Sequence, residues 1–250
     1  MLSPLLANIA LSALDDHFAG QWQTLMKTSS QRQARRRRGL ANWRMIRFAD
    51  DFVVMVHGER QHAEALREEV SGVLATLGLR LAAEKTRVVH VDEGFDFLSI
   101  TIRRMRKRGT SKHYVYTKPS KKAIQAVKDK VSVKTYRSTL HQEPEELIAS
   151  INDTLTGWAN YHRHGVAKAV FGSVDHHAWG RIMRWLRRKY DGGSGLSMPE
   201  LRRRFCVPGT WKFAHNGVAF TGAASIKIER YRYRGTLIPN QYPEPSATSG

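Results

Sequence analysis

The sequence has little cysteine and no long apolar run. Cys206 is the single cysteine in 250 residues, which excludes an internal disulfide and a zinc site built on cysteine pairs. No run approaches the roughly 18 apolar residues that span a bilayer, and the N-terminus lacks the basic start of a signal peptide. We therefore expect a cytoplasmic chain without a membrane partner.

Negative charge is also scarce. Only 22 Asp and Glu residues stand against 41 Lys and Arg, which gives a formal net charge of +19. Because each phosphate that a basic side chain neutralises releases counterions, such an excess favours a polyanionic partner. Nucleic acid is the first candidate, and an anionic membrane surface is the weaker one. The apolar fraction of 41% argues against disorder and predicts a folded core.

Apolar periodicity predicts an α+β fold. Two β-hairpins are expected, one turning at Asp50-Asp51 and one joining residues 87–91 to 95–102. The order of these elements suggests an antiparallel sheet with helices on one face. Residues 27–40 lack periodicity and predict an exposed basic loop. Helical patterns occur at 3–18, 61–77, 120–131, 144–163 and 174–190.

Two adjacent carboxylates interrupt the apolar stretch RFADDFVVM, residues 47–55. In a tight turn, unlike a straight strand, neighbouring side chains can both approach one ligand. Hard divalent cations prefer carboxylate oxygens, and two such ions about 4 Å apart can stabilise phosphoryl transfer. Asp50 and Asp51 are therefore candidate ligands of Mg²⁺. The alternative is that the two side chains only make local hydrogen bonds within a turn.

Two of the predicted helices offer aromatic and basic side chains. In 174–190, Trp185 lies beside the basic face opposite the apolar stripe, where an exposed indole could stack on unpaired bases. Packing of Trp185 on a neighbouring domain is the alternative. In 144–163, Trp158 and His162 share the core face, and Tyr161 lies near its edge. The eleven histidines lack helical metal-ligand spacing and are expected to be solvated or capping residues.

Several blocks of the sequence, in order, resemble those of group II intron-encoded reverse transcriptase/maturase proteins. RFADDFVVM resembles the fifth conserved block of reverse transcriptases. The segment LSPLLANIAL, residues 2–11, looks like the end of the fourth block, and residues 77–104 look like the sixth and seventh. Three segments resemble the thumb, or maturase, domain: 118–124, 155–165 and 185–190. Residues 225–240 resemble the basic segment that follows this domain.

The resemblance implies a partial polymerase palm, an antiparallel sheet with helices, followed by an all-α thumb/maturase domain. The change to purely helical patterns after residue 119 places a boundary near 104–119, and the end of the chain loses periodicity. The predicted divisions are a palm at 1–104, a basic connection at 105–119, a helical domain at 120–210, and a basic segment with a frayed tail at 211–250.

The resemblance also implies site residues. Asp50 looks like the family's metal-binding carboxylate, with a secondary role for Asp51. Ser3 and Pro4 match the segment lining the primer and nucleotide side, and Lys85 matches a basic residue near the template or incoming nucleotide. The side chains expected to contact RNA are basic or aromatic: Arg35, Arg36, Arg37, Arg38, Lys121, Lys122, Tyr161, Arg163, Arg181, Arg184, Trp185 and Arg188.

Two departures from the family pattern affect these expectations. The family's third carboxylate and its fingers domain lie upstream of the segments matched here, so we expect a truncated chain with an incomplete two-metal site. A separate chain could supply the missing parts. Ser99 stands where the seventh block usually has glycine, which bears on close backbone approach to the primer.

The leading expectation is an RNA-directed DNA polymerase and intron maturase that uses Mg²⁺. Its expected partners are group II intron RNA and a DNA primer or target, and this chain alone is expected to retain RNA binding rather than polymerisation. One alternative is a non-catalytic RNA-binding or splicing-assisting protein that keeps the Asp pair as a relic. Another is a basic structural DNA-binding protein, which would need no magnesium.

Overall fold

The computed structural model describes residues 3–190 and 197–230, with side chains from Asn8 onward. The glycine-rich segment at 192–195 and the predicted frayed end lie outside the described residues. The chain divides into two compact units between His90 and Val91. Helices and small antiparallel sheets make up both, which confirms the predicted α+β class. Within the described residues, no helix is long and apolar enough to cross a membrane.

The N-terminal unit is a two-stranded hairpin packed against helices. The predicted first hairpin, the first helix and the helix at 61–77 are confirmed. Apolar side chains from two helices pack on one face of the hairpin, with Leu14, Phe18 and Met45 almost fully buried. The elements of this unit are α1 (Ser3–Gln21), a π-helical turn (Trp22–Met26), α2 (Ser29–Arg37), β1 (Asn42–Phe48), β2 (Asp51–His57) and α3 (Arg60–Thr76).

The prediction of a loop at 27–40 is wrong, because this segment contains α2. A capping box starts the helix: the Thr28 side chain accepts from the Gln31 backbone N–H, and the Gln31 side chain accepts from the Thr28 N–H. α2 buries no residue, so it lacks the apolar stripe that reveals a helix in a sequence. Arg35 to Arg37 occupy its last turn, where cations complement the helix dipole.

The C-terminal unit places a three-stranded sheet before a group of helices. Its elements are β3 (Phe95–Phe97), β4 (Ile100–Arg106), β5 (His113–Pro119), α4 (Lys121–Lys134), α5 (Pro144–His162), α6 (Lys168–Tyr190), α7 (Met198–Phe205), β6 (Ala214–His215) and β7 (Val218–Ala219). The three helices predicted after residue 119 are confirmed, although α6 begins six residues early. Large side chains at 0 or 1% exposure form the core: Leu147, Ile148, Ile151, Leu155, Phe171, Trp185, Phe205 and Phe213.

The predicted second hairpin is wrong. Residues 87–91 are not a strand; β3 instead turns through Leu98 and Ser99 into β4, and β4 continues through a loop into β5. Leu98 and Ser99 have φ of +47° and +65°, and a type I′ turn requires two such positive values. The segment predicted as a basic connection, 105–119, therefore holds the end of β4 and all of β5.

Candidate functional site

The acidic pair lies at the turn of the β1–β2 hairpin. Phe48 pairs with Asp51, which leaves Ala49 and Asp50 as the two turn residues. The predicted turn is thus wrong by one residue, since Asp51 is the first residue of β2. Both Asp residues are exposed, as binding of an external ligand requires.

Ala49 adopts an unusual backbone conformation beside Asp50. Its φ is +53°, which costs a non-glycine residue about 1–2 kcal/mol. Only the first of the two turn residues has positive φ, as in a type II′ turn, where glycine usually occupies that position. The turn that presents Asp50 therefore carries local strain, which neighbouring contacts must offset.

Arg47 provides those contacts and ties the turn to α1. Its Nη1 donates to the carbonyl of Ala49 at 2.6 Å and to Asn8 Oδ1 at 2.9 Å. Its Nε donates to both carboxylate oxygens of Asp15, at 3.1 and 3.0 Å. These hydrogen bonds to Asp15 raise the pKa of Arg47. Arg47 is thus a positioning residue for the turn that carries Asp50.

We expect Arg47→Met to lower the free energy of unfolding by about 2 kcal/mol, because Asp15 would lose a charged hydrogen-bond partner. The Arg47 and Asp15 side chains are only 14% and 32% exposed, so water replaces the lost bonds poorly. Urea-induced unfolding followed by circular dichroism measures the change. Arg67→Met is the control: Arg67 pairs with Glu68 at the surface, and its loss should cost less than about 0.5 kcal/mol. Equal effects of the two substitutions would contradict the assigned role of Arg47.

The fit of the acidic pair to Mg²⁺ is partial. Two exposed carboxylates are suitable oxygen donors. Across residues 3–190 and 197–230, however, no three His, Cys, Asp or Glu side chains are grouped so that they could hold a metal ion. A complete two-metal site needs donors beyond Asp50 and Asp51.

Three other predicted site residues belong to the same unit. Ser3 and Pro4 begin the backbone of α1, and their side chains lie outside the described part of the chain. Lys85 is exposed in a turn, where its backbone N–H donates to the Ala82 carbonyl at 3.0 Å. Roles for these residues at a primer, template or nucleotide stay predictions.

The prediction that Trp185 is an exposed base-stacking residue is wrong. Trp185 is 1% exposed, and its Nε1 donates to Thr139 Oγ1 at 3.0 Å. It belongs to the core of its own unit. The sequence holds a signal for this, since Trp185 comes three residues after Ile182 and directly before Leu186, at the margin of the apolar stripe.

The arginines of α6 differ in their surroundings. Arg181 is half-buried and holds the end of α4, donating from Nε to Thr135 Oγ1 at 2.8 Å and from Nη2 to the Ser132 carbonyl at 2.9 Å. Burial, with a smaller effect of Arg184 and Arg188, lowers the pKa of Arg181. Arg184 and Arg188 are exposed and remain available to a ligand.

Tyr161 and Arg163 both make contacts within the unit. The Tyr161 hydroxyl donates to the Leu98 carbonyl at 2.8 Å, while 54% of the residue stays exposed. Arg163 Nη2 donates to Glu229 Oε2 at 2.8 Å, so its charge is neutralised locally. Tyr161 is therefore the stronger candidate of the two for contact with RNA.

Further exposed basic side chains escaped the sequence prediction. The composition of residues 103–112 is typical of a linker and does not predict a surface. In the structure, the end of β4 and the loop that follows it form one β-ribbon with these exposed basic side chains: Arg103, Arg106, Lys107, Arg108 and Lys112. Arg187 of α6 is exposed as well, between Arg184 and Arg188.

Comparison with known proteins gives two family matches. Residues 1–102 match the family described as reverse transcriptase (RNA-dependent DNA polymerase), and residues 124–205 match the group II intron, maturase-specific domain. Protein YkfC of Escherichia coli (strain K12) is 36% identical over 137 residues, which cover 49% of this chain. The matched region spans 36% of that relative.

Proposed function

Because this chain belongs to the group II intron-encoded reverse transcriptase/maturase family, we propose that it binds group II intron RNA through its C-terminal unit. The family of its first 102 residues comprises RNA-dependent DNA polymerases. A formal net charge of +19 supports a polyanionic ligand. The observation that carries the proposal is the placement of exposed cations where the fold itself does not need them.

Lys121 and Lys122 are the clearest example. They are exposed in the first turn of α4, and the Ser120 side chain already caps this helix by accepting from the Ala123 N–H at 3.1 Å. Cations at a helix N-terminus oppose the helix dipole, so these two lysines weaken α4 rather than stabilise it. A phosphate ligand would turn this unfavourable placement into a favourable one.

The basic face of α6 offers a second group. Arg184, Arg187 and Arg188 are exposed at positions i, i+3 and i+4, which share one face of a helix. Guanidinium groups in this arrangement suit successive phosphates of an RNA strand. Arg187 and Arg188 also complement the dipole at the end of α6, so helix stability alone accounts for their positions. They therefore support RNA binding less strongly than the lysines of α4 do.

For the N-terminal unit we propose a narrower role. Asp50 and Asp51 contribute oxygen ligands to Mg²⁺, and donors from outside the described residues, such as those of a separate chain, complete the site. Bound Mg²⁺ would stabilise charge on the phosphates of the DNA primer and the incoming nucleotide. Arg47, through its contacts with Asp15 and Ala49, holds the turn in place for that purpose.

RNA binding should depend strongly on salt. We expect the logarithm of the affinity for a structured intron RNA to fall linearly with the logarithm of salt concentration. The double variant Lys121→Gln/Lys122→Gln should weaken binding several-fold at low salt and reduce the slope by about one to two units. Fluorescence anisotropy with labelled RNA measures both quantities.

A matched control removes the same charge elsewhere. Arg60→Gln/Arg67→Gln changes two exposed arginines of α3, each paired with a neighbouring glutamate, and should leave the slope unchanged. An affinity that does not respond to salt, or equal losses in both double variants, would refute the proposal. Competition by duplex DNA as effective as that by intron RNA would favour the structural DNA-binding alternative instead.

A further inference from the structure

The N-terminal unit has a groove at the open end of its hairpin. Asn42 pairs with His57 at this end, whereas Phe48 pairs with Asp51 at the turn. Because β1 has seven residues, the two ends are about 20 Å apart. The groove has a volume of about 310 Å³ and is lined mainly by aromatic and basic side chains: Trp22, Trp43, Arg32, Arg36, Arg44 and His57. Among the described residues, no acid lines it.

Guanidinium groups lie over both indole rings of the groove. Those of Arg32 and Arg44 lie 5.5 and 5.1 Å from the centroid of Trp22. That of Arg35 lies 4.9 Å from the centroid of Trp43. Such layers of flat cationic and aromatic groups are also what stacks on nucleobases in proteins that bind single strands.

The arginines that line the groove, and Arg35 beside it, differ in the hydrogen bonds that their guanidinium groups make. Arg32 Nη1 donates to the Met26 carbonyl at 2.6 Å, and Arg35 Nε and Nη2 donate to the Ala41 carbonyl at 3.1 and 2.9 Å. These two guanidiniums are therefore held by the backbone. Arg36 is exposed, and within the described part of the chain its guanidinium has no hydrogen-bond partner. Arg36 is thus available for a phosphate.

Asn42 supplies a second, independent observation. It lines the groove and is 7% exposed, and its Nδ2 donates to the Arg32 carbonyl at 2.9 Å. Its Oδ1 is buried without a hydrogen-bond partner among the described residues. A buried acceptor without a donor costs about 1–3 kcal/mol. An amino group of a base or a ribose hydroxyl could satisfy it, after displacing whichever side chain covers the atom.

We infer that this groove binds an unpaired nucleic-acid strand. A base stacks against the layers that the guanidiniums form with the indoles of Trp22 and Trp43, and Arg36 contacts a flanking phosphate. A duplex does not expose the faces of its bases, and an acidic peptide would satisfy the cations but leave the rings unused. The inference shares a polyanionic ligand with the proposed function but concerns a different surface, so each can fail alone.

The test uses the full chain and a labelled oligouridylate of about 12 nucleotides, a length within the usual range for single-strand sites. Arg36→Gln should weaken binding about fivefold. Arg67→Gln is the matched control, since Arg67 is an exposed arginine of the same unit that does not line the groove, and it should change the affinity less than twofold. Trp22→Leu should weaken binding about tenfold through lost stacking. Far-UV circular dichroism checks that each variant is folded.

Two results would overturn the inference: equal losses with Arg36→Gln and Arg67→Gln, or full competition by polyglutamate at equal charge. If Trp22→Leu does not fold, Trp22→Phe keeps a stacking ring and should retain most of the affinity, while Arg36→Gln decides the question. The Lys121→Gln/Lys122→Gln variant separates the two proposals. If it binds intron RNA normally while the oligouridylate still responds to Arg36, the proposed function fails and the groove stands.

Discussion

Trp185→Ala should lower the free energy of unfolding by about 4 kcal/mol. The side chain is 1% exposed in the core of the C-terminal unit, so truncation leaves a large cavity, and it also removes the hydrogen bond to Thr139. Urea-induced unfolding, monitored by far-UV circular dichroism, measures the loss.

Two further variants test whether the loss of stability in Trp185→Ala comes from the missing core side chain. Arg188→Ala, on the exposed face of the same helix, should change the stability by less than about 0.5 kcal/mol. Trp185→Phe keeps an aromatic ring and should lose only part of what alanine loses. If Trp185→Ala kept its stability and instead lost RNA affinity, the result would contradict the assignment of Trp185 to the core and indicate a base-stacking role.

Acidification should destabilise the chain through His162. Burial lowers the pKa of His162 to about 4, from an ordinary value of 6.5, and the residue is only 4% exposed. The unfolded chain therefore takes up a proton below pH 6.5 while the folded chain does not. The stability contributed by neutral His162 is fully present above pH 6.5 and is lost as the pH falls toward 4. The total loss is about 3 kcal/mol, at 1.36 kcal/mol per pH unit.

The surroundings of His162 explain why it stays neutral. Its ring lies 4.6 Å from the Trp158 ring, and its Nδ1 is buried without a partner among the described residues. His162→Phe removes the titrating group. The difference in unfolding free energy between pH 7 and pH 4.5 should therefore shrink by most of the roughly 3 kcal/mol that is assigned to His162. Burial raises the pKa of Asp175, which acts in the opposite direction, but this contribution cancels between the wild type and the variant. An unchanged difference in His162→Phe would contradict the assignment.

The elements that the sequence predicts well are those with an apolar period. The first hairpin, α3, α4 and α5 all bury one face, and periodicity reveals such faces directly. By contrast, α2 buries nothing, so its helical form depends on a capping box that composition hides. The strand β5 was missed for a related reason, because its exposed basic and aromatic side chains belong to a solvated ribbon.

The errors at the turns have a backbone cause. Ala49, Leu98 and Ser99 all have positive φ, although none is glycine, the residue from which such turns are usually recognised. The acidic pair itself was identified from the sequence. Its link to Asp15 through Arg47 was not, because a contact between residues 32 positions apart leaves no local pattern.

The two ends of the β1–β2 hairpin also define a length for any bound strand. The groove at Asn42 and the turn at Asp50 lie about 20 Å apart, which a strand with its bases stacked as in a duplex, at about 3.4 Å per nucleotide, spans with about six nucleotides. A stacked trinucleotide in the groove therefore ends well short of the carboxylates, whereas a stacked strand of eight nucleotides reaches past them. Strand length thus determines whether one molecule can occupy both places at once.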